Sequence, residues 1–338
     1  MFNSYIVNKQ NLINNIKQVA KLNPNSKICA MVKANAYGVG TDVVVPILNE
    51  FVDFYGVACF FEAKKLFKIT NKKILIFGSI EQSCVDEKFS YTCSSLEDVM
   101  FLKGLNKRIN IHLKINTGMN RFGFKYVGEF KKALKEILKS KLKLEGVYTH
   151  FATVDSYVET QMKKFLIFKN LVSKYFKDVI YHTDNSMVNL NKNHNLNMVR
   201  VGYNLFLNSS GQFKPVCKIN SKIVAVNKIR KGEIVGYNKK FVADKNLTVG
   251  IVPVGYADGF SIKNIGLELI INNKKCKVLN VCMDCFMVDI TKAKIKKGTD
   301  VQILGNINSL QNYSKYLSVN EYEVLTNFAL IRANKIIC

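Results

Sequence analysis

From Lys27 to about Gly202 the chain repeats a single beat, a short apolar run followed by an amphipathic stretch of helical period. The apolar runs begin at Ile28, Phe54, Lys73, Tyr91, Asn110, Leu144, Val179 and Met198. Between the sixth and seventh, Met162, Phe165, Leu166, Val172 and Phe176 form one helical stripe, the mark of an outer helix packed on a sheet. Parallel strands need crossovers, which helices usually supply, and eight such units in about 175 residues are what a (β/α)8 TIM-type barrel requires. A helix over Asn11 to Leu22, with Leu12, Ile16 and Val19 on one face, leads into it.

After Phe206 the texture changes. Asn208 to Pro215 is a polar, turn-rich connector, and beyond it come short strand-like runs (KIVAVNKI, LTVGIVPV, GLELII, CKVLNV, VQILG) with few helical patterns before Asn320. The expected organisation is a barrel over 1–215 and a mostly β C-terminal domain over 216–338. At about 150 residues per domain, 338 residues suit two. The N-terminus lacks a basic segment followed by an apolar one, and no apolar stretch approaches the ~20 residues that span a bilayer. A cytoplasmic protein without a membrane partner is expected.

The net charge of +25 invites a nucleic-acid reading, but 45 of the 50 basic residues are lysines spread along the chain. Readers of nucleic acid use arginine for bidentate contacts and interleave aromatics with a basic stripe. No nucleic-acid partner is expected, and each of the five arginines (Arg108, Arg121, Arg200, Arg230, Arg332) becomes a suspect for a specific role. Nine cysteines without a secretory leader imply reduced thiols. Cys282 and Cys285 have CxxC spacing but no second pair, so no metal site is expected.

Active sites of such barrels gather at the C-terminal strand ends. There the sequence places Lys33 after the first strand, Lys114 and Arg121 after the fifth, His150 after the sixth, Asn185 and Ser186 after the seventh, and Arg200 with Gly202 at the eighth. A partly desolvated lysine has a lowered pKa and becomes a nucleophile able to form a Schiff base. The region after strands 7 and 8 often binds phosphate. A strand-end lysine with such a phosphate site is the layout expected for pyridoxal 5′-phosphate, an aldehyde carrying a phosphate handle. Taken singly, a lysine among 45, a barrel histidine or the GYADG turn has a plainer structural reading.

Seven motifs in order carry a resemblance: KANAYG at Lys33, TGMNRFG at Thr117, THFAT at Thr149, His182 through Asn185-Ser186, MVRVG at Met198, GYADG at Gly255 and CMD at Cys282. Together they resemble the alanine racemases, pyridoxal-phosphate enzymes with a barrel and a β domain, over nearly the whole length. The resemblance implies that Lys33 carries the cofactor and exchanges the α-proton on the D face, with Tyr256 the base on the L face, contributed by the partner subunit of a homodimer. Tyr37, Ser186, Gly202 and Tyr203 would hold the phosphate, with Asn185 beside them. Arg200 would face the pyridine nitrogen and His150 would link Arg200 to Tyr256. Arg121 would contact the cofactor's phenolic oxygen or the substrate carboxylate, Met283 would present a backbone N–H to that carboxylate from the partner chain, and Lys114 matches a position carbamylated in some members. The implied role is interconversion of L- and D-alanine, supplying D-alanine for cell-wall synthesis.

The sequence departs from the family at Asn116, where many members have Asp, and at Leu330, where some place a tyrosine against the phosphate. A broad-specificity racemase acting on Ser, Lys or Arg would keep every motif. A related barrel decarboxylase would be expected to show an acidic partner for the ring nitrogen and a glycine-rich phosphate motif, where this chain has Arg200 and no GGG run.

Overall fold

Strands of a parallel sheet flanked by helices are covered on both faces, and most positions of the parallel strands of this chain are buried. In the computed structural model, which describes residues 2–183, 196–207 and 211–338, Phe54–Val57, Ser90–Cys93 and Met198–Val201 are buried at every position. Numbered along the chain, β1 is Ser4–Val7, and eight strands follow in parallel: β2 (Lys27–Met31), β3 (Phe54–Val57), β4 (Lys73–Ile76), β5 (Ser90–Cys93), β6 (Asn110–Lys114), β7 (Lys143–Tyr148), β8 (Ile180–His182) and β9 (Met198–Val201). They pair in the order β8-β7-β6-β5-β4-β3-β2-β9. The Asn197 side chain spans the seam between β8 and β9, accepting from the Tyr181 N–H at 2.6 Å and donating to the Val179 carbonyl at 3.4 Å. This is the (β/α)8 barrel expected. Its outer helices include Val127–Leu138 and Tyr157–Val172, and Phe165, Phe168 and Val172 of the second are buried.

The β-rich unit holds β10 (Cys217–Lys222), β11 (Ala225–Ile229), β12 (Leu247–Val252), β13 (Glu268–Ile271), β14 (Lys274–Val281), β15 (Phe286–Asp289), β16 (Asp300–Leu304) and β17 (Asn334–Ile337). They form a four-stranded sheet β16-β10-β1-β17 and a five-stranded sheet β11-β12-β15-β14-β13. β1 pairs antiparallel with β10 and parallel with β17. The chain therefore divides by contact into Met1–Asn11, Tyr37–Gly40 and Pro215–Cys338 in one unit, and Leu12–Ala36 and Thr41–Lys214 in the other. Among the described residues no helix is long and apolar enough to cross a membrane.

Candidate active site

At the C-terminal end of β2 the chain makes an unusual turn. Ala34, Asn35, Ala36 and Tyr37 all have φ between 51° and 56°, a left-handed turn directly after Lys33. For residues with a Cβ this region costs ~1–2 kcal/mol each, and such strain concentrates at functional sites. Side chains hold the turn in place. Glu62 accepts from the Ala34 and Ala58 N–H groups at 2.7 Å each, and the Asn35 amide oxygen accepts from the Thr41 N–H at 2.9 Å. Partial burial, and next the Arg121 guanidinium, lower the pKa of Lys33, while Glu62 opposes them.

Lys114 ends β6 and is buried, its ammonium over the rings of Phe122 at 5.2 Å and Tyr148 at 5.8 Å. Burial, then Arg121, Arg200 and Lys33, lower its pKa to about 8. Asn116 caps the following loop, its carbonyl oxygen accepting from Gly118 N–H at 3.2 Å and Asn120 N–H at 3.0 Å. An aspartate would make the same two bonds, so the departure leaves the loop intact.

Arg200, buried in β9, is fixed on several sides. Its Nη1 donates to the His182 ring at 2.7 Å and carbonyl at 3.0 Å; its Nη2 donates to the carbonyls of Thr149 at 2.8 Å and Thr183 at 3.0 Å, and meets His150 Nδ1 at 3.4 Å. The guanidinium also lies 5.2 Å from the Tyr148 ring centroid. Burial, followed by the charges of Arg200, Arg121, Lys114 and Lys33, pushes His150 down to about 3, so it is a neutral imidazole at pH 7. Lys33, Lys114, Arg121 and Arg200 thus form one cationic group that discourages any further positive charge.

In the β-rich unit, Tyr256 opens a short turn that rests on a second turn at Cys282–Cys285. The Tyr256 N–H donates to the Cys282 carbonyl at 3.0 Å and the Ala257 N–H to the Met283 carbonyl at 3.1 Å. Both glycines of GYADG are required. A Cβ on Gly255 would strike the Met283 carbonyl, and Gly259 has φ 88° against the Asn327 carbonyl. Asp258 between them is fully buried, accepting from the Gly255 N–H and from the backbone N–H, Nε and Nη2 of Arg332. Burial raises its pKa, but these bonds outweigh the penalty and hold it below the ordinary value. Arg332 Nη1 reaches Asp284 at 2.8 Å, so one guanidinium ties both turns together. Tyr256 and Met283 are 41% and 53% exposed, presented outward by turns locked from behind.

The alanine racemase N-terminal domain family matches residues 7–210 and the C-terminal domain family residues 216–336. The chain belongs to the alanine racemase family. It is 31% identical to the alanine racemase of Borreliella burgdorferi (strain ZS7) over 98% of this chain and 96% of that one, and 33% identical to that of Ligilactobacillus salivarius over 92% and 91%. The crystal structure of alanine racemase from Bacillus anthracis with bound L-Ala-P superposes with a TM-score of 0.92 at 26% identity, covering 99% of this chain and 95% of that chain.

Of the residues carrying the alanine racemase motifs, Lys33, Lys114, Arg121, His150, Arg200, Gly202 and Tyr203 belong to the barrel unit, with Tyr203 opening a one-turn helix after Gly202. Tyr37, Tyr256 and Met283 belong to the β-rich unit. Asn185 and Ser186 lie outside the described residues. Leu330 is 66% exposed in the C-terminal segment. Sequence reasoning did not single out Asp258 or Asp284, and noted Arg332 only for the rarity of arginine; that rarity was the signal. It also passed over His112 and Glu145, polar residues in the middle of strands where a barrel interior is apolar. Among the described residues no group of three His, Cys, Asp or Glu could hold a metal ion.

Proposed function

We propose that this member of the alanine racemase family interconverts L- and D-alanine with two proton-transfer groups, Lys33 on the D face and Tyr256 on the L face, and with pyridoxal 5′-phosphate as cofactor. The observation that carries the reading is Lys33 itself, an amine of lowered pKa at a strained strand-end turn, grouped electrostatically with Lys114, Arg121 and Arg200. The donor set suits the cofactor: an amine for its aldehyde, and cations for its phenolate and for a substrate carboxylate. Lys33 would hold it covalently, Tyr37, Asn185, Ser186, Gly202 and Tyr203 would surround its phosphate, and Arg200 would take the ring nitrogen. When bound, the cofactor lends a conjugated ring as a sink for the electrons left when the α-proton departs.

The residues divide the remaining work. Racemisation removes a proton from one face of the α-carbon and returns one to the other, so two groups on opposite faces are the simplest design. Lys33 can accept a proton because its surroundings favour the neutral amine. Arg200 remains protonated at any accessible pH, so it would donate to a ring nitrogen without surrendering its proton, which would keep the sink weak and side reactions rare. Neutral His150 can link Arg200 to Tyr256. Arg121 and the Met283 N–H would take the substrate carboxylate, with Lys114, free or carbamylated, orienting Arg121. Family resemblance supports a cytoplasmic homodimer whose sites are shared between subunits, and a role in supplying D-alanine to the cell wall.

The test is an L- to D-alanine assay on purified protein beside its visible absorbance. Activity should accompany a visible band that borohydride bleaches and that Lys33→Ala abolishes. A reduced adduct on another lysine would overturn the assignment. Faster turnover of serine, lysine or arginine than of alanine would favour the broad-specificity alternative.

A further inference from the structure

Beneath Arg200, a chain of polar side chains runs through the barrel interior toward the opposite strand ends. Arg200 Nη1 meets His182 Nδ1 at 2.7 Å, His182 Nε2 meets His112 Nδ1 at 2.9 Å, and His112 Nε2 meets Glu145 Oε2 at 3.3 Å. Glu145 also accepts from Ser90 Oγ at 2.6 Å and from Lys73 Nζ at 2.5 Å, and Lys73, the first residue of β4, reaches solvent. The fold makes room for this chain at two points. The β6–β7 ladder pairs Ile111 with Leu144 and His112 with Gly146, stepping past Glu145, and a local irregularity of this kind re-aims a side chain. At Gly146 a Cβ would collide with His112 Nδ1, the nitrogen that faces His182.

We propose that Glu145, His112 and His182 form a directional relay that positions the Arg200 guanidinium from below, with the carboxylate dictating the tautomer of both imidazoles. A guanidinium has only donors and an ionised carboxylate only acceptors. Arg200 therefore requires a bare Nδ1 on His182, which places that ring's proton on Nε2. That N–H requires a bare Nδ1 on His112, which in turn places its proton on Nε2, pointing at Glu145. The two ends demand the same direction. Protonating either ring would set one N–H against another.

The surroundings keep both rings neutral. His182 faces Arg200 and His112 and stacks on Tyr148 with ring centroids 4.7 Å apart; burial, then the Arg200 charge, lower its pKa. His112 faces Glu145 and His182, with Lys73 and Arg200 beyond and the Phe54 edge beside it; burial lowers its pKa against the opposing pull of Glu145. The relay touches no substrate. It fixes the direction and polarity of the contacts on Nη1.

The role for Arg200 rests on the proposed function, but the tautomers are measurable without turnover. In holoenzyme labelled with ¹⁵N-histidine, His112 and His182 should both carry their proton on Nε2 and show no titration from about pH 6 to 9. Glu145→Gln is isosteric and reverses the logic. Its oxygen should pair with the Lys73 ammonium and its amide group should face His112 Nε2 and the Ser90 hydroxyl, which can accept as well as donate, so both rings should switch to the Nδ1–H form, setting a donor against Arg200. Racemisation kcat should then fall tenfold or more, up to about the 10²-fold that small misplacements cost, with KM within about twofold. Glu145→Asp, still an acceptor, should keep the wild-type tautomers and recover most of kcat. The proposal is overturned if either wild-type ring carries Nδ1–H or titrates in that range, if Glu145→Gln leaves both tautomers unchanged, or if they reverse with kcat unaltered. Absence of racemisation in the wild type would instead sink the proposed function, leaving the tautomer result to decide the relay's existence.

Discussion

The barrel strand ends and the Tyr256 turn hold their proposed reactive groups by different means. Around Lys33 the preparation is electrostatic: a strained turn fixes the backbone, and burial with neighbouring cations moves the pKa values of Lys33, Lys114 and His150. Around Tyr256 it is mechanical. Two backbone turns are hydrogen-bonded to each other and pinned by Asp258 and Arg332, while the phenol is left exposed. A proton acceptor that must be neutral at pH 7 needs its charge equilibrium shifted, which calls for other charged side chains. A group presented outward needs a rigid support, which backbone contacts and the ion pair between buried Asp258 and the half-exposed Arg332 supply.

Removing the reactive group on the electrostatic side should have the largest effect. Lys33→Ala should lower racemisation by about 10⁴-fold or more, assayed as D-alanine formed, because on the proposed function both the covalent attachment and one proton transfer would be lost. On the mechanical side, Arg332→Gln leaves Asp258 buried with fewer partners. Stability should fall, read from urea unfolding, because the buried Asp258 carboxylate loses its charge-assisted donors while the exposed Arg332 loses little. Racemisation should fall by about 10- to 10²-fold as the Tyr256 turn loosens, with the Lys33-dependent visible band retained. Loss of that band together with activity would show that the two regions are not built separately.

The contrast also decides what could be read from the sequence. The barrel was legible because strand periodicity and helix stripes repeat eight times, and its candidate site residues stood out because each is a charged or polar residue ending an apolar strand. Asn116 departs from the family's aspartate, yet an amide oxygen caps the loop as a carboxylate would. β1 went unmarked, because SYIV is four residues long and becomes a strand only by pairing with β10 and β17, more than 200 residues away. The clamp was equally hidden. Arg332, Asp258 and Asp284 are far apart in sequence or sit in turns, and nothing local announces that one guanidinium binds both carboxylates. Glu145 owes its place to a ladder irregularity that no strand pattern foretells.

Acid should expose the difference as a stability effect. All four histidines lie before residue 195, and His112 and His182 are fully buried with folded pKa values below the ordinary 6.5. Below pH 6.5 the unfolded chain binds protons that the folded one refuses, so their contribution is complete above pH 6.5 and is lost as the pH falls. Each should cost about 1.4 kcal/mol per pH unit below that point. Amide protection, corrected for the intrinsic exchange rate, should therefore fall between pH 6.5 and 5 in the barrel strands before β12, β14 and β15. Equal loss of protection in both regions would contradict this assignment.

The smallest effect concerns tuning. Arg121→Gln removes the charge that, after burial, does most to lower the pKa of Lys33. The rate at which cofactor-free protein takes up pyridoxal 5′-phosphate should then rise with pH along a limb displaced to higher pH, because the amine must be neutral to react. An unmoved limb would mean that burial alone sets the value.

The most direct measurement of the two-group account is α-hydrogen exchange in Tyr256→Phe, followed by NMR with each enantiomer of α-deuterated alanine. Lys33 and its electrostatic surroundings remain, so the protein should keep its visible band and continue to wash deuterium from D-alanine. Exchange from L-alanine and net racemisation should both fall by about 10²- to 10⁴-fold, the usual cost of one missing proton-transfer group. Equal loss of exchange from both enantiomers, or undiminished exchange from L-alanine, would contradict the assignment of one face to each residue.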